Sequence, residues 1–259
     1  MMLFLRAVRQ APVSAQLGML IILSYLIITL FAPWLAPFGE TEIVAAEYEP
    51  WGGEYLLGTD NLGRDMLSRL IYGARNTIGI ALVTTILAFT LGGLAGLLAA
   101  TVGGWLDQLL SRSVDVVMAI PALIFALLML TIFGTSTLSL ILVIAVLDAT
   151  RVFRLTRSVA QTVVVMDFVE AARLRGEGLW WQIRQEIMPN ILAPLIAEFG
   201  LRFCFVFLFI SALSFLGLGN QPPAADWGSM VRDNATLISF GDITPLLPAG
   251  AIALLTVAI

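Results

Sequence analysis

The sequence predicts an all-α protein that crosses a lipid bilayer several times, and three observations predict it. Hydrophobic residues make up 59% of the 259-residue chain and charged residues 12%, with mean hydropathy +0.95. A water-soluble domain carries about 45–50% apolar and about 25% charged residues, so this chain has too little polar surface to coat a soluble particle. The apolar residues come in long continuous runs, which argues for spanning helices and against a barrel built from alternating blocks of about ten residues. The arginines gather in the segments between runs, as bilayer topology requires.

Six spans are expected, near Leu17–Ala36, Thr77–Ala100, Val114–Phe133, Thr137–Thr150, Ile191–Leu216 and Ile243–Ile259. Arg6 and Arg9 precede the first, which reads as a retained signal anchor because its apolar run is long and others follow. The fourth is short and can run on through Val152 and Phe153. Pro245 and Pro248 sit at the start of the sixth. From Pro248 the helix would reach only about 18 Å at 1.5 Å per residue, short of ~30 Å of hydrocarbon. The chain is therefore expected to continue past Ile259.

Orientation follows from the arginines. With a cytoplasmic N-terminus, Arg6, Arg9, Arg112, Arg151, Arg154, Arg157, Arg173, Arg175 and Arg184 lie inside; Arg64, Arg69, Arg75 and Arg232 lie outside. Nine against four favours that orientation. The first outside loop carries Glu40, Glu42, Glu47, Glu49, Glu54 and Asp60 before any arginine. It is either a solvated loop or a docking surface for a soluble partner.

Composition excludes several chemistries. There is no histidine, every basic residue is arginine, and Cys204 is the single cysteine. Histidine metal sites, histidine-based catalytic sets and an internal disulfide are thereby removed, and no metal site, cofactor of its own or nucleic-acid partner is expected. No GxxxxGK[ST] loop occurs, so the chain is not expected to hold or hydrolyse a nucleotide itself.

The segment from Arg151 to Pro189 carries the most pattern. Asp167 to Arg175 reads as a short helix, Gly176 and Gly178 break it, and Leu179 to Met188 reads as a second helix closed by Pro189. Trp180, Ile183 and Ile187 share one face of the second helix at i, i+3, i+7 spacing. Such a helix–turn–helix suits either an interfacial helix resting on lipid headgroups or a rigid lever that takes force from a soluble motor. The pattern alone leaves both open.

Glu170-Ala171-Ala172, then Gly176, then Pro189 within Ile187-Met188-Pro189-Asn190, resemble the EAA signature of ABC importer permeases. That resemblance implies that Glu170, Ala171, Ala172, Gly176, Trp180, Ile183, Ile187 and Pro189 form the coupling element for an ATPase partner. Two further blocks narrow the resemblance. Gly58-Thr59-Asp60-Asn61-Leu62-Gly63-Arg64-Asp65 resembles the GTDxxGRD signature of the dipeptide, oligopeptide and nickel permeases. Ser214-Phe215-Leu216-Gly217-Leu218-Gly219 with Gln221-Pro222-Pro223 and Trp227-Gly228 resembles a later segment of their second, C-type subunit.

The resemblance implies the type I ABC importer permease fold with six transmembrane helices. It implies a bacterial inner-membrane location, with one homologous second permease, two ATPase subunits and a periplasmic substrate-binding protein as partners besides the bilayer. ATP and Mg belong to the ATPase subunits. The implied transport is ATP-driven import of di- or oligopeptides; an ion-driven secondary transporter is the alternative, although no internal repeat is visible.

On this reading, residues 1–36 hold the first span and 37–76 a loop with an interfacial helix. Residues 77–259 form the permease core, with the coupling loop at 151–190. Asp60 is expected to cap the interfacial helix, with Leu62, Met66 and Leu70 on its apolar face. Gly58, Thr59, Asp60, Gly63, Arg64 and Asp65 are expected in the periplasmic vestibule. Gly92 and Gly96 form a GxxxG pair that suits helix packing. Glu198 and Arg202, at i and i+4 inside the fifth span, are candidates for the translocation path or for a structural pair. Asp148 is read as the end of the fourth span, paired with Arg151 at the membrane edge. The family often has an acidic residue where Ile210 stands here.

Overall fold

The computed structural model describes residues 12–259, and within them the protein is helical without named strands. The helices are α1 (Val13–Leu35), α2 (Met66–Val102), α3 (Gly104–Met118), α4 (Ala122–Phe133), α5 (Thr137–Val164), α6 (Asp167–Leu174), α7 (Leu179–Phe215), α8 (Trp227–Asn234) and α9 (Leu246–Ala258). A 3-10 turn spans Ala235–Phe240 between the last two. The reading that rests on Arg6 and Arg9 lies outside the described residues.

Among the described residues, α1, α2 and α7 are each long and apolar enough to cross a bilayer. The span expected at Val114–Phe133 is broken: α3 and α4 pass the same test only together and bend by 89° at the break. Pro121 explains the break, because it offers no N–H to α3 and disfavours helical geometry in the residue before it. The fourth expected span is one 28-residue helix, α5, running on to Val164. Arg151, Arg154 and Arg157, placed in a loop by the sequence reading, therefore ride on that helix. The sixth begins at Leu246 and has 13 residues, about 20 Å of helix.

The described residues divide into two compact units, one of residues 12–81, Thr135–Thr137 and Phe207–Ile259, the other of Leu82–Gly134 and Leu138–Val206. In the first unit, α1 packs along α9. Gly18 permits the approach: a Cβ there would lie 2.6 Å from the carbonyl oxygen of Ala258. Tyr25 donates to the carbonyl of Ala251 at 2.9 Å. Leu17, Leu20, Leu23, Leu26 and Leu30 on the rest of α1 remain exposed, which suits a lipid-facing surface. Trp227, 2% exposed, fills the centre of this unit with its ring edge-on to Tyr25 and to Phe207.

Two expectations about the first loop are corrected here. No separate interfacial helix lies within residues 37–76; the chain is irregular up to Asp65, and Met66 opens the 37-residue helix α2. Asp60 does not cap a helix. Its Oδ1 accepts from the backbone N–H groups of Leu62 and Arg64, which closes a turn. The α2 cap is Asp65, whose Oδ2 accepts from Ser68 N at 2.7 Å.

In the second unit, α2 crosses α5 at the small-residue pair. A Cβ on Gly92 would sit 2.3 Å from the Ala149 carbonyl oxygen, and one on Gly96 would sit 2.8 Å from that of Phe153. Backbone packs on backbone there, as a GxxxG face allows. One core cluster joins Leu97 and Ala100 of α2, Ala160 and Val163 of α5, Val169 of α6, and Ile183, Ile187 and Ile191 of α7.

Candidate functional site

The helix–turn–helix forms as the sequence reading expects and lies in the second unit. Gly176 carries φ +80°, a left-handed conformation at the end of α6 that favours glycine. Gln182 ties the two arms: its side chain donates to the Glu177 carbonyl at 2.7 Å and accepts from Arg173 Nε at 3.2 Å. The Arg175 guanidinium lies over the Trp181 ring at 5.8 Å and 3.7 Å from Glu186. The turn is thus held by side chains on both arms.

The expected single face of Trp180, Ile183 and Ile187 splits. Ile183 and Ile187 are buried with Val169 and Ala172, whereas Trp180 is 65% exposed. The cause is local geometry: residues Gln182–Ile187 adopt a π-helix, so periodicity 3.6 fails there. Pro189 does not close the helix either. α7 runs on through it without a stop, and Met188 N bonds to the Ile183 carbonyl, five residues back. The wider turn sits where Pro189 has no N–H to give the normal ladder. Glu170, Ala171, Gly176, Trp180 and Pro189 are exposed. The two buried isoleucines instead tie the element to α2 and α5. The element consequently has an outer face free to meet a partner and an inner face welded to long helices.

The Gly58–Asp65 block lies in the first unit and turns inward. Thr59, Asp60, Arg64 and Asp65 are all 6% exposed or less. Asp60 Oδ2 lies 2.7 Å from Arg64 Nη2 and 3.1 Å from Arg69 Nε. Thr59 donates to the Ala46 carbonyl and accepts from Glu49 N. Gly63, at φ +73°, lets the chain pass the Ala45 carbonyl. These side chains shape a loop whose exposed acidic groups are Glu42, Glu47, Glu49 and Glu54. Glu40 is drawn in, accepting from Asn76 Nδ2 at 2.7 Å and from Ala225 N.

Glu198 and Arg202 pair as their spacing predicts, with Nε 2.7 Å from Oε1. Sequence reasoning missed their third member. Asp148 of α5, taken as the partner of Arg151 at a membrane edge, stands 3.6 Å from Arg202 Nη1 and 3.4 Å from Arg151 Nη1. Only the charge of Asp148 in an otherwise apolar run could have signalled it. Arg157 also has a partner that no spacing reveals: it donates to both carboxylate oxygens of Asp107, fifty positions away. The second unit also carries an open groove of about 490 Å³ lined by Ile86, Phe89, Leu97, Leu192, Ile196 and Phe199, none of them charged. Among the described residues, no three His, Cys, Asp or Glu side chains gather to hold a metal.

The chain was compared with known proteins. The family described as "Binding-protein-dependent transport system inner membrane component" matches residues 92–259. A di/tripeptide transport system permease protein of Pseudomonas aeruginosa is 36% identical over 93% of this chain and 82% of its own length. Dipeptide transport system permease proteins of Haemophilus influenzae and Escherichia coli are 34% and 38% identical over 85% of this chain, covering 77% and 76% of their own lengths. In three dimensions, a crystal structure of an amino acid ABC transporter with histidines aligns with TM-score 0.53 and 22% identity, covering 73% of this chain and 88% of that one. That likeness bears on the fold alone, and the fold is that of a type I ABC importer permease.

Proposed function

The chain belongs to the family of inner-membrane components of binding-protein-dependent transport systems, and from that premise we propose that it imports peptides as the second, C-type, membrane subunit of an ATP-driven complex. The family sets aside the ion-driven alternative. In the proposed complex one homologous permease completes the pathway, two ATPase subunits bind ATP and Mg, and a soluble binding protein delivers peptide from outside. The relatives named for dipeptide and di/tripeptide transport support this substrate class. The arginine distribution supports a cytoplasmic N-terminus.

The observation that carries the coupling role is the two-faced element at Asp167–Pro189. Trp180, Glu170 and Ala171 present an exposed surface, while Val169, Ile183 and Ile187 are fixed among α2, α5 and α7. A push on the outer face moves long helices rather than a loose loop, because packed cores transmit displacement instead of absorbing it. The chain is then a two-state element biased by its ATPase partners. The Gly58–Asp65 turn serves as the scaffold of an outer rim whose exposed glutamates face the binding protein. Glu198 and Arg202 line the path.

Affinity purification of the tagged chain tests the assembly. Wild type should bring down a second permease and two ATPase chains, and its vesicles should take up a labelled dipeptide only with ATP inside. Trp180→Glu changes an exposed position, so it should spare the permease pair and lose the ATPases. A chain that purifies alone and transports without ATP would overturn the proposal.

A further inference from the structure

The charge cluster on α5 and α7 is incomplete in a specific way. The Asp148 side chain is 3% exposed, and its Oδ2 is buried without a hydrogen-bond partner. Two guanidinium groups approach its other oxygen, but neither closely: Arg151 Nη1 stands at 3.4 Å and Arg202 Nη1 at 3.6 Å. Charge-assisted N–H···O⁻ bonds settle at about 2.7–2.9 Å. Arg202 is held elsewhere. Its Nε is 2.7 Å from Glu198 but, like Asp148 Oδ2, is buried without a hydrogen-bond partner, and its guanidinium lies 4.7 Å over the ring of Phe205, which is itself 49% exposed.

The depth of the cluster makes this costly. Arg202 falls near the middle of the apolar run of α7, and its contact brings Asp148 to the same level. Ionised side chains at such depth are expensive and persist where they serve a path or a ligand. A buried network with one acceptor and one donor left open is worse than an apolar core of the same shape. The missing component brings a compact donor to Asp148 Oδ2 and an acceptor to Arg202 Nε. A bare divalent metal fits poorly, because it offers no acceptor to the unpartnered Arg202 Nε.

We infer that Asp148 Oδ2 is the subsite for the α-ammonium group of the peptide in transit, with Glu198 holding the Arg202 guanidinium back from it. This rests on the peptide-import reading above. The ammonium brings three donors to an acceptor that has none, and Glu198 keeps the nearest competing guanidinium occupied. Peptides with a blocked N-terminus lack the charge and two of the three donors, so the membrane subunit itself discriminates against them.

The test uses the complete complex in lipid nanodiscs without the binding protein, equilibrated with a radiolabelled dipeptide or its N-acetylated form. Wild type should bind the free dipeptide at least about tenfold more tightly than the blocked one, a difference of ~1.4 kcal/mol. Asp148→Asn should bring the two within about twofold, chiefly by weakening the free form. Arg202→Gln removes the competing cation and should tighten binding of the free form alone; a merely structural arginine would weaken both forms or neither. Wild type that binds no free dipeptide, or binds both forms equally, overturns the subsite. So does an Asp148→Asn complex that keeps the preference. If Asp148→Asn fails to assemble, the wild-type comparison and Arg202→Gln still decide. ATP-dependent uptake by wild-type vesicles separates the two levels: no peptide uptake defeats the import reading, whereas uptake without ammonium preference defeats only the subsite.

Discussion

The indole N–H of Trp227 donates to the backbone carbonyl of Leu70 at 2.9 Å, and the ring lies directly over Gly73. A Cβ at Gly73 would stand 2.6 Å from Trp227 Cδ1. Gly73→Ala should therefore overpack this contact and cost about 1–3 kcal/mol. Trp227→Ala should cost about 3–5 kcal/mol, since it empties the centre of a packed unit. Trp227→Phe keeps most of the ring contacts with Tyr25 and Phe207 and loses the donor, so it should cost about 0.5–1.5 kcal/mol. Thermal unfolding of the purified chain in nanodiscs gives the ranking. A Gly73→Ala protein as stable as wild type would show that the indole moves aside freely.

The α2–α5 crossing makes a sharper prediction because its glycines differ. Gly92 and Gly96 face the Ala149 and Phe153 carbonyls, whereas Gly93 has no heavy atom within 4 Å of where its Cβ would be. Gly92→Val should separate the helices, and most of the protein should elute as aggregate on size-exclusion chromatography. Gly93→Ala should be neutral or stabilise by about 0.5–1 kcal/mol, the helix gain from replacing glycine. Equal damage from both would mean that helix propensity, not close approach, sets the need for glycine.

These contrasts show what the sequence could and could not reveal. α1, the apolar part of α2 and α7 were legible because their runs are long and continuous. The start of α2 was not, because Asp65 and Arg69 look like loop residues until their partners bury them. A hydropathy pattern cannot see pairing. The same blindness ended the fourth span at Asp148, although α5 continues to Val164. In the coupling element, the helix–turn–helix followed from glycine placement. The division of Trp180 from Ile183 and Ile187 did not, since a π-turn shifts the helical phase by an amount that residue spacing does not encode.

Arg157 and Asp107 show the same limit at longer range, and they predict an asymmetry. Arg157 grips both oxygens of Asp107 with side chains 31% and 16% exposed, while Arg154 reaches Asp115 with 52% and 50% exposed. Solvent screens the second pair more strongly, and exposed pairs contribute little. Arg157→Ala should lower the unfolding temperature more than Arg154→Ala does. The swap Asp107→Arg with Arg157→Asp should recover part of the loss, and added salt should leave the Arg157 effect largely intact. If both alanine variants melt together, the fork geometry adds nothing over a surface contact.

Asp226 gives the chain a pH dependence with a definite sign. It caps α8, accepting from Ser229 N at 3.1 Å and from Thr77 Oγ1 at 3.3 Å, and Thr77 in turn accepts from Trp227 N. Its side chain is buried, and that burial pushes the carboxyl pKa above the ordinary range; hydrogen bonds from Ser229 and Thr77 offset this only in part. A raised folded-state pKa means that the folded protein holds the proton more tightly than the unfolded chain. The resulting stability is full below the unfolded carboxylate pKa of about 4 and is lost as pH rises through the folded value. Asp226→Asn retains a capping oxygen and never ionises. It should match wild type near pH 4, exceed it at pH 8, and flatten the melting temperature between them. Asp226→Ala loses the cap and should fall below wild type at both pH values, by about 0.5–2 kcal/mol at acid pH. Melting curves across that range decide the matter: an Asn variant with the wild-type slope would place the titration at another group.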